Sequence, residues 1–310
     1  MGEGCLATGG SIPDRPAPPQ PDFPGGLAAG AGGVVVSRVV TDTIKILCLA
    51  VVQGLTEFLP VSSSGHLVLA QHFLGVKSPG PDLELFLHVG TLLSVCVFYR
   101  RRLSSILADL ARGRRAGFLY AAWVLVSMLP AGIAYSCGKS LFDRVYDAPR
   151  AVAALLVANG ALLLLSGLSE RRAAARARPL DGLRALAMGV GQAIAVLPGV
   201  SRSGTSIGAG RLFGLGPKDA AEFSFVMSIP VIAGAALLEF LETGRIQAAL
   251  DGRDLPGFPV PVGPALAAAA LAGVVGYLAL RTVVRVLERG AFWMFGPYCL
   301  AVGALAFALS

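Results

Sequence analysis

The sequence predicts an all-α integral membrane protein built from two inverted-topology repeats, each with one re-entrant helical pair and three transmembrane helices. Three observations carry that reading. First, 55% of the 310 residues are hydrophobic and only 15% are charged, with a mean hydropathy of +0.69; a soluble domain averages about 25% charged residues. Second, uncharged runs at 116–138, 151–169, 255–280 and 290–310 are near or above the ~20 residues that a helix needs to cross a bilayer. Third, the same order of apolar segments occurs twice.

The first 40 residues are rich in Gly, Pro and Ala and lack the apolar core of a signal peptide. They read as a disordered extension. Residues 41–310 read as a single membrane domain. Its first repeat, about 43–169, opens with two short apolar halves, 43–58 and 64–76, separated by Pro60 and three serines. Spans at about 82–99, 117–138 and 150–169 follow. The second repeat, about 183–310, opens with halves 183–197 and 203–215, split by Pro198 and Gly199. Spans at about 220–240, 260–281 and 290–310 complete it. Shifted by 139 positions, "QGLTEFLPVSSSG" overlays "QAIAVLPGVSRSG" without a gap, with five identities: Gln53 on Gln192, Val61 on Val200, Ser62 on Ser201, Ser64 on Ser203 and Gly65 on Gly204. That points to an internal duplication.

The net charge of +7 sits mainly in inter-helix loops, so it reads as membrane topology and not as a nucleic-acid surface. Loop 100–115 carries six Arg and one Asp, 170–184 five Arg and two acids, and 281–289 three Arg and one Glu; these read as cytoplasmic. Loop 139–150 is nearly balanced and 239–254 has four acids against two Arg, which reads as external. Three spans lie between the broken pairs. The second repeat is then inverted, and the two broken tips can meet within the membrane, as in other inverted-repeat folds. Non-helical backbone at that depth must be buried in protein or line a wet cavity, so the tips are where function is expected. The five cysteines, Cys5, Cys48, Cys96, Cys137 and Cys299, are scattered and suggest neither a disulfide framework nor a metal cluster.

The chemistry at the tips is that of an anion site. Pro60 cannot continue a helix. Ser62, Ser63, Ser64 and Gly65 then open a new N-terminus, whose free N–H groups and partial positive charge favour phosphate. Ser201, Ser203 and Gly204 do the same at the second tip. There Arg202 adds a permanent cation whose planar fork suits phosphate oxygens. A charge inside a membrane segment is costly and points to function. The competing reading is a plain structural ion pair of Arg202 with Glu57. Glu57 and His66 suit nucleophile activation or acid–base work, and either Ser63 or His66 could attack phosphorus. Gln53, one helical turn from Glu57, is a supporting candidate. Glu84 at the start of the next span and Thr205 beyond Arg202 are two more. Glu222 reads as structural and His72 as interfacial.

"QGLTEFLPVSSSGHL" together with "LPGVSRSGTSI" closely resembles the two signature motifs of the bacterial undecaprenyl-diphosphate phosphatase family, of the bacitracin-resistance type. The resemblance covers about 43–310. It implies a multi-pass protein of the bacterial inner membrane that hydrolyses undecaprenyl diphosphate to undecaprenyl phosphate and inorganic phosphate. That activity recycles the lipid carrier of peptidoglycan and other cell-wall polymers and confers bacitracin resistance, bacitracin competing for the lipid. It also implies a divalent cation, Mg or Ca, for which either Glu57 suffices with diphosphate oxygens completing the shell or another acid such as Glu84 contributes, and it is compatible with a homodimer. By position the family's functional residues fall on Glu57, Ser63, His66 and Arg202. Some members carry a second glutamate one turn before the first; here that position is Gln53. A polyprenyl-phosphate flippase is the alternative reading, because the same architecture serves transporters.

Overall fold

The computed structural model describes residues 31–76, 81–173, 177–242 and 262–310. The chain divides into two compact units, Met1–Val40 and Thr41–Ser310. In the first, residues 1–30 lie outside the described residues, and the chain is helical from Ala31. The expected disordered extension therefore falls mostly on undescribed residues. All candidate site residues belong to the second unit.

The described residues are helical throughout, with a lone backbone bridge between Arg178 and Leu215. Helix α1 (Ala31–Thr56) leads into a break and then α2 (Ser63–Phe73). Next come α3 (Pro81–Phe98), α4 (Arg100–Ala111), α5 (Arg115–Tyr146) and α6 (Pro149–Ala173). A second broken pair, α7 (Gly182–Ile194) and α8 (Arg202–Leu212), precedes α9 (Pro217–Glu242) and α10 (Val262–Glu288). A 3-10 turn (Phe292–Met294) and α11 (Phe295–Leu309) end the chain. Among the described residues five helices are long and apolar enough to cross a membrane, or six if the bent pair α3–α4 counts as one span. The protein is a multi-pass membrane protein. Its outer faces agree: Leu125, Leu129 and Ile133 on α5 are each more than 60% exposed, as lipid-facing side chains are.

Three expected loops are largely helix. Residues 100–111 form α4, which turns 75° away from α3. Its arginines read as loop, but Leu103 and Ile106 pack on the core, and that three-residue spacing makes one helical face. Helix α5 runs on through 139–146 because no breaker stands between Gly138 and Pro149, which sits at the first position of α6. Helix α10 continues to Glu288. It closes at Gly290 (φ 68°), where the Gly290 N–H donates to Leu287 O and the Ala291 N–H to Val286 O. That is the double bond pattern of a glycine-closed helix end. The loop expected at 239–254 lies mostly outside the described residues.

Helix pairs in lipid gain by close backbone approach at small residues. Here α3 meets α10 at Gly90, where an added Cβ would lie 2.0 Å from Ala269 O. Helix α6 meets α11 at Gly160, where it would lie 2.8 Å from Gly296 O. The core between these pairs holds Phe58, which is fully buried and packs edge-on to Phe225 with centroids 5.7 Å apart. This fixes the residue next to Glu57 and so the exit of the chain from α1.

Candidate active site

The two breaks are built alike at positions 139 apart. Ser62 and Ser201 each cap the helix that follows, accepting from the N–H of Gly65 (3.3 Å) and Gly204 (3.1 Å) respectively. A serine cap satisfies an N–H that the helix start leaves unpaired. Ser62 does this with a positive φ of 68°, the sole described non-glycine residue to do so. Such strain persists only where its surroundings hold it.

What holds it is the other break. The Gly199 N–H donates to Ser62 Oγ at 3.1 Å, and Ser203 Oγ donates to Leu59 O at 3.2 Å. Gly199 (φ 104°) must be glycine twice over, since an added Cβ would also lie 2.6 Å from Val152 O. Buried Asn159 on α6 closes the joint. Its Nδ2 donates to Pro60 O at 2.9 Å, and its Oδ1 accepts from the Ser201 N–H at 3.0 Å. The breaks thus satisfy each other's backbone, as membrane-buried irregular chain requires.

Glu57 is the hub of the polar cluster. Its Oε1 accepts from Arg202 at 2.7 Å. Its Oε2 accepts from Ser63 Oγ at 2.6 Å and from Gln53 Nε2 at 2.9 Å. The carboxylate side chain is 4% exposed and Arg202 18%. A buried carboxylate needs such a partner, because removing either one strands the other charge. Beside it lies a cavity of about 50 Å³ lined by Glu57, Ser62, Ser63, Ser64, Ser201 and Arg202 among others. That is room for more than one water-sized group. Both helix N-termini open here.

His66 sits in the first turn of α2 but turns elsewhere. Its Nδ1 lies 2.8 Å from Ser62 O, and its Nε2 lies 3.0 Å from the Tyr298 hydroxyl. The two rings are parallel, with centroids 5.7 Å apart. A carbonyl only accepts, so Nδ1 carries the proton and Nε2 accepts from Tyr298. Both ring nitrogens are therefore engaged away from Glu57. Ser64 contacts Ser62 Oγ at 3.4 Å, and Ser203 contacts Ser201 Oγ at 3.1 Å. Thr205 returns its hydroxyl to Ser201 O of its own helix at 2.9 Å. Glu84 has partners of its own: its Oε1 accepts from Gln71 Nε2 at 3.0 Å and from the Tyr146 hydroxyl. Glu222 pairs with Arg102 at 2.7 Å, a structural contact at the start of α9. Among the described residues no three His, Cys, Asp or Glu side chains group as a metal site.

The sequence pattern of the bacitracin resistance protein BacA family matches residues 46–305. The chain belongs to this family. BacA relatives named undecaprenyl-diphosphatase include one from Desulfosudis oleivorans, 36% identical over 286 residues, which covers 85% of this chain and 97% of that one. Another, from Rubrobacter xylanophilus, is 38% identical over 281 residues, covering 86% and 98%. A third, from Salinibacter ruber, is 34% identical over 275 residues, covering 84% and 97%. The shared BacA region takes in both breaks and every residue of the Glu57 cluster.

Asn159, His88 and Tyr298 are the site residues that the sequence reading passed over. A lone Asn in the apolar run 151–169 is itself a signal, since an unpaired amide in lipid is costly. His88 stands in the apolar run of α3. Its Nε2 lies 3.8 Å from Glu57 Oε2.

Proposed function

We infer that this chain is a membrane phosphatase that hydrolyses undecaprenyl diphosphate to undecaprenyl phosphate and inorganic phosphate. It thereby recycles the lipid carrier for cell-wall polymers and confers bacitracin resistance, bacitracin competing for the same lipid. Family membership supports the reaction. The observation that carries the mechanism is the chain of contacts Ser63–Glu57–Arg202, which joins a hydroxyl, a base and a cation across the two breaks. A flippase needs an anion site but no hydroxyl paired to a base, so the cluster favours hydrolysis.

The geometry supports the following roles. The diphosphate lies against the N-termini of α2 and α8, held by Ser62, Ser64, Ser201, Ser203 and the N–H groups near Gly65 and Gly204. Arg202 turns from Glu57 to the phosphate oxygens and offsets the charge that builds on them. Ser63 Oγ attacks the terminal phosphorus, and its proton passes to Glu57 Oε2. The bond from that phosphorus to the bridging oxygen breaks, and undecaprenyl phosphate leaves. Water then releases phosphate from Ser63, and the proton returns from Glu57 to the serine. Gln53 orients Glu57 through its amide. His66, braced by Tyr298, fixes the first turn of α2. The matching breaks also support the two repeats, about 43–169 and 183–310, as products of duplication, with a homodimer left to the oligomeric state in solution.

Among the described residues no protein-built site fits the divalent cation, Mg or Ca. Glu57 is the one carboxylate of the cluster, and both its oxygens are engaged. We propose that the cation arrives on the diphosphate oxygens, and no step here runs through it. Calorimetric titration of Mg²⁺ into lipid-free protein should show no saturable binding; a tight stoichiometric site would contradict this.

An apolar groove of about 540 Å³ runs between α6 and the α7–α8 pair, lined by Leu162, Leu186, Leu212 and Phe213 among others, and reaches Gly204 and Thr205 beside Arg202. It suits the prenyl chain of a substrate whose diphosphate sits at Arg202. Gly208 lines the groove, and an added Cβ there meets nothing within 4 Å. Gly208→Leu should therefore fold normally and raise KM for the long-chain lipid about tenfold, while a short-chain prenyl diphosphate is unaffected. Phosphate release by the purified protein, with lipid transfer between leaflets measured in parallel, tests the whole reading. Transfer without phosphate release would favour the flippase.

A further inference from the structure

We propose that His88 is the catalytic base for the water that releases phosphate from the enzyme. The inference rests on Ser63 being the group that attacks. In the first step Glu57 takes the serine proton. In the second it must give that proton back, so it acts as an acid and cannot also deprotonate water. A second base is required within reach of the same phosphorus.

His88 is the described side chain placed to supply it. It stands on α3, a helix outside both breaks, and its Nδ1 lies 2.7 Å from the Glu84 carbonyl oxygen. A carbonyl only accepts, so Nδ1 carries the proton and Nε2 presents a lone pair. That Nε2 points at Glu57 Oε2 from 3.8 Å, the same oxygen that holds Ser63 Oγ at 2.6 Å. The gap is too long for a direct hydrogen bond and of a length that one water bridges. The His88 side chain is 29% exposed against 4% for Glu57, so the imidazole is the more open of the two groups. Gln53, fully buried and donating to Glu57, has no basic lone pair to offer. The base therefore comes from α3.

The step balances. Water oxygen attacks phosphorus of the serine phosphate, and one water proton passes to His88 Nε2. The bond from phosphorus to Ser63 Oγ breaks, and the serine oxygen recovers the proton held by Glu57. Inorganic phosphate leaves, and His88 returns its proton to solvent.

Asparagine in place of His88 keeps an N–H able to reach the Glu84 carbonyl but supplies no base. In full-length detergent-purified protein with undecaprenyl diphosphate, His88→Asn should lower kcat about 100-fold with KM within about twofold. A rapid-quench burst of one undecaprenyl phosphate per enzyme should precede slow phosphate release. Imidazole should restore turnover at least about tenfold to His88→Ala, which a purely structural role would not permit. Turnover within about twofold of the parent, or equal slowing of both products without imidazole rescue, would overturn the proposal. Ser63→Ala that retains turnover would instead sink the serine reading beneath it.

Discussion

Glu57→Gln is expected to lower kcat about 1,000-fold while leaving KM within about threefold. The substitution keeps the volume and leaves an oxygen that still accepts from Ser63, now 2.6 Å away. It removes the group that takes the proton, and positioned acid–base groups contribute about 10²- to 10⁴-fold. In the proposed mode the ground-state contacts to phosphate come from the helix N-termini and Arg202, so binding should hold. Steady-state phosphate release against lipid concentration checks this. A variant within tenfold of the parent would remove Glu57 from proton transfer and leave it as a partner for Arg202 alone.

Arg202→Ala is expected to fail twice, in stability and in catalysis, and the two failures can be separated. Truncation leaves the 4%-exposed Glu57 carboxylate without its cation, which in buried pairs costs about 3–5 kcal/mol. It also removes the fork that grips the phosphate oxygens, worth a further ~100-fold or more in kcat/KM. The double variant Glu57→Gln with Arg202→Met removes both charges and should recover most of the lost thermal stability. It should remain inactive. Recovery of stability without activity separates the catalytic role of the pair from its structural one. If Arg202→Ala retained both kcat and KM, the pair would be structural only. Arg202→Lys keeps the charge but loses the bidentate geometry, and should fall between the two.

The breaks and their polar content were legible because their chemistry is local. Pro60, the serines and Gly65 interrupt an apolar run, and their overlay on Gly199–Gly204 requires only the chain itself. Glu57 and Arg202 stood out because charge inside an apolar segment has few explanations. The residues brought by other helices were not legible. Helices α3, α6 and α11 are apolar nearly all round, so their periodicity does not say which face turns inward. Asn159, His88 and Tyr298 therefore could not be placed against the breaks. The rotation of α2 hid in the same way: His66 follows the serines closely in sequence, yet its ring turns to Tyr298 on α11. Glu84 was drawn off by Gln71 and Tyr146, and the latter lies in a segment read as loop. Helix α4 was missed for a different reason. Its arginines outweighed Leu103 and Ile106, the residues that seat it.

In the proposed mechanism Ser63 is the group that attacks phosphorus. Rapid acid quench of the wild-type protein with substrate labelled in its terminal phosphate, followed by peptide mapping, addresses it directly. The label should fall on Ser63, increase in His88→Asn and be absent from Ser63→Ala. Label on His66, or full turnover in Ser63→Ala with no label on the protein, would contradict it.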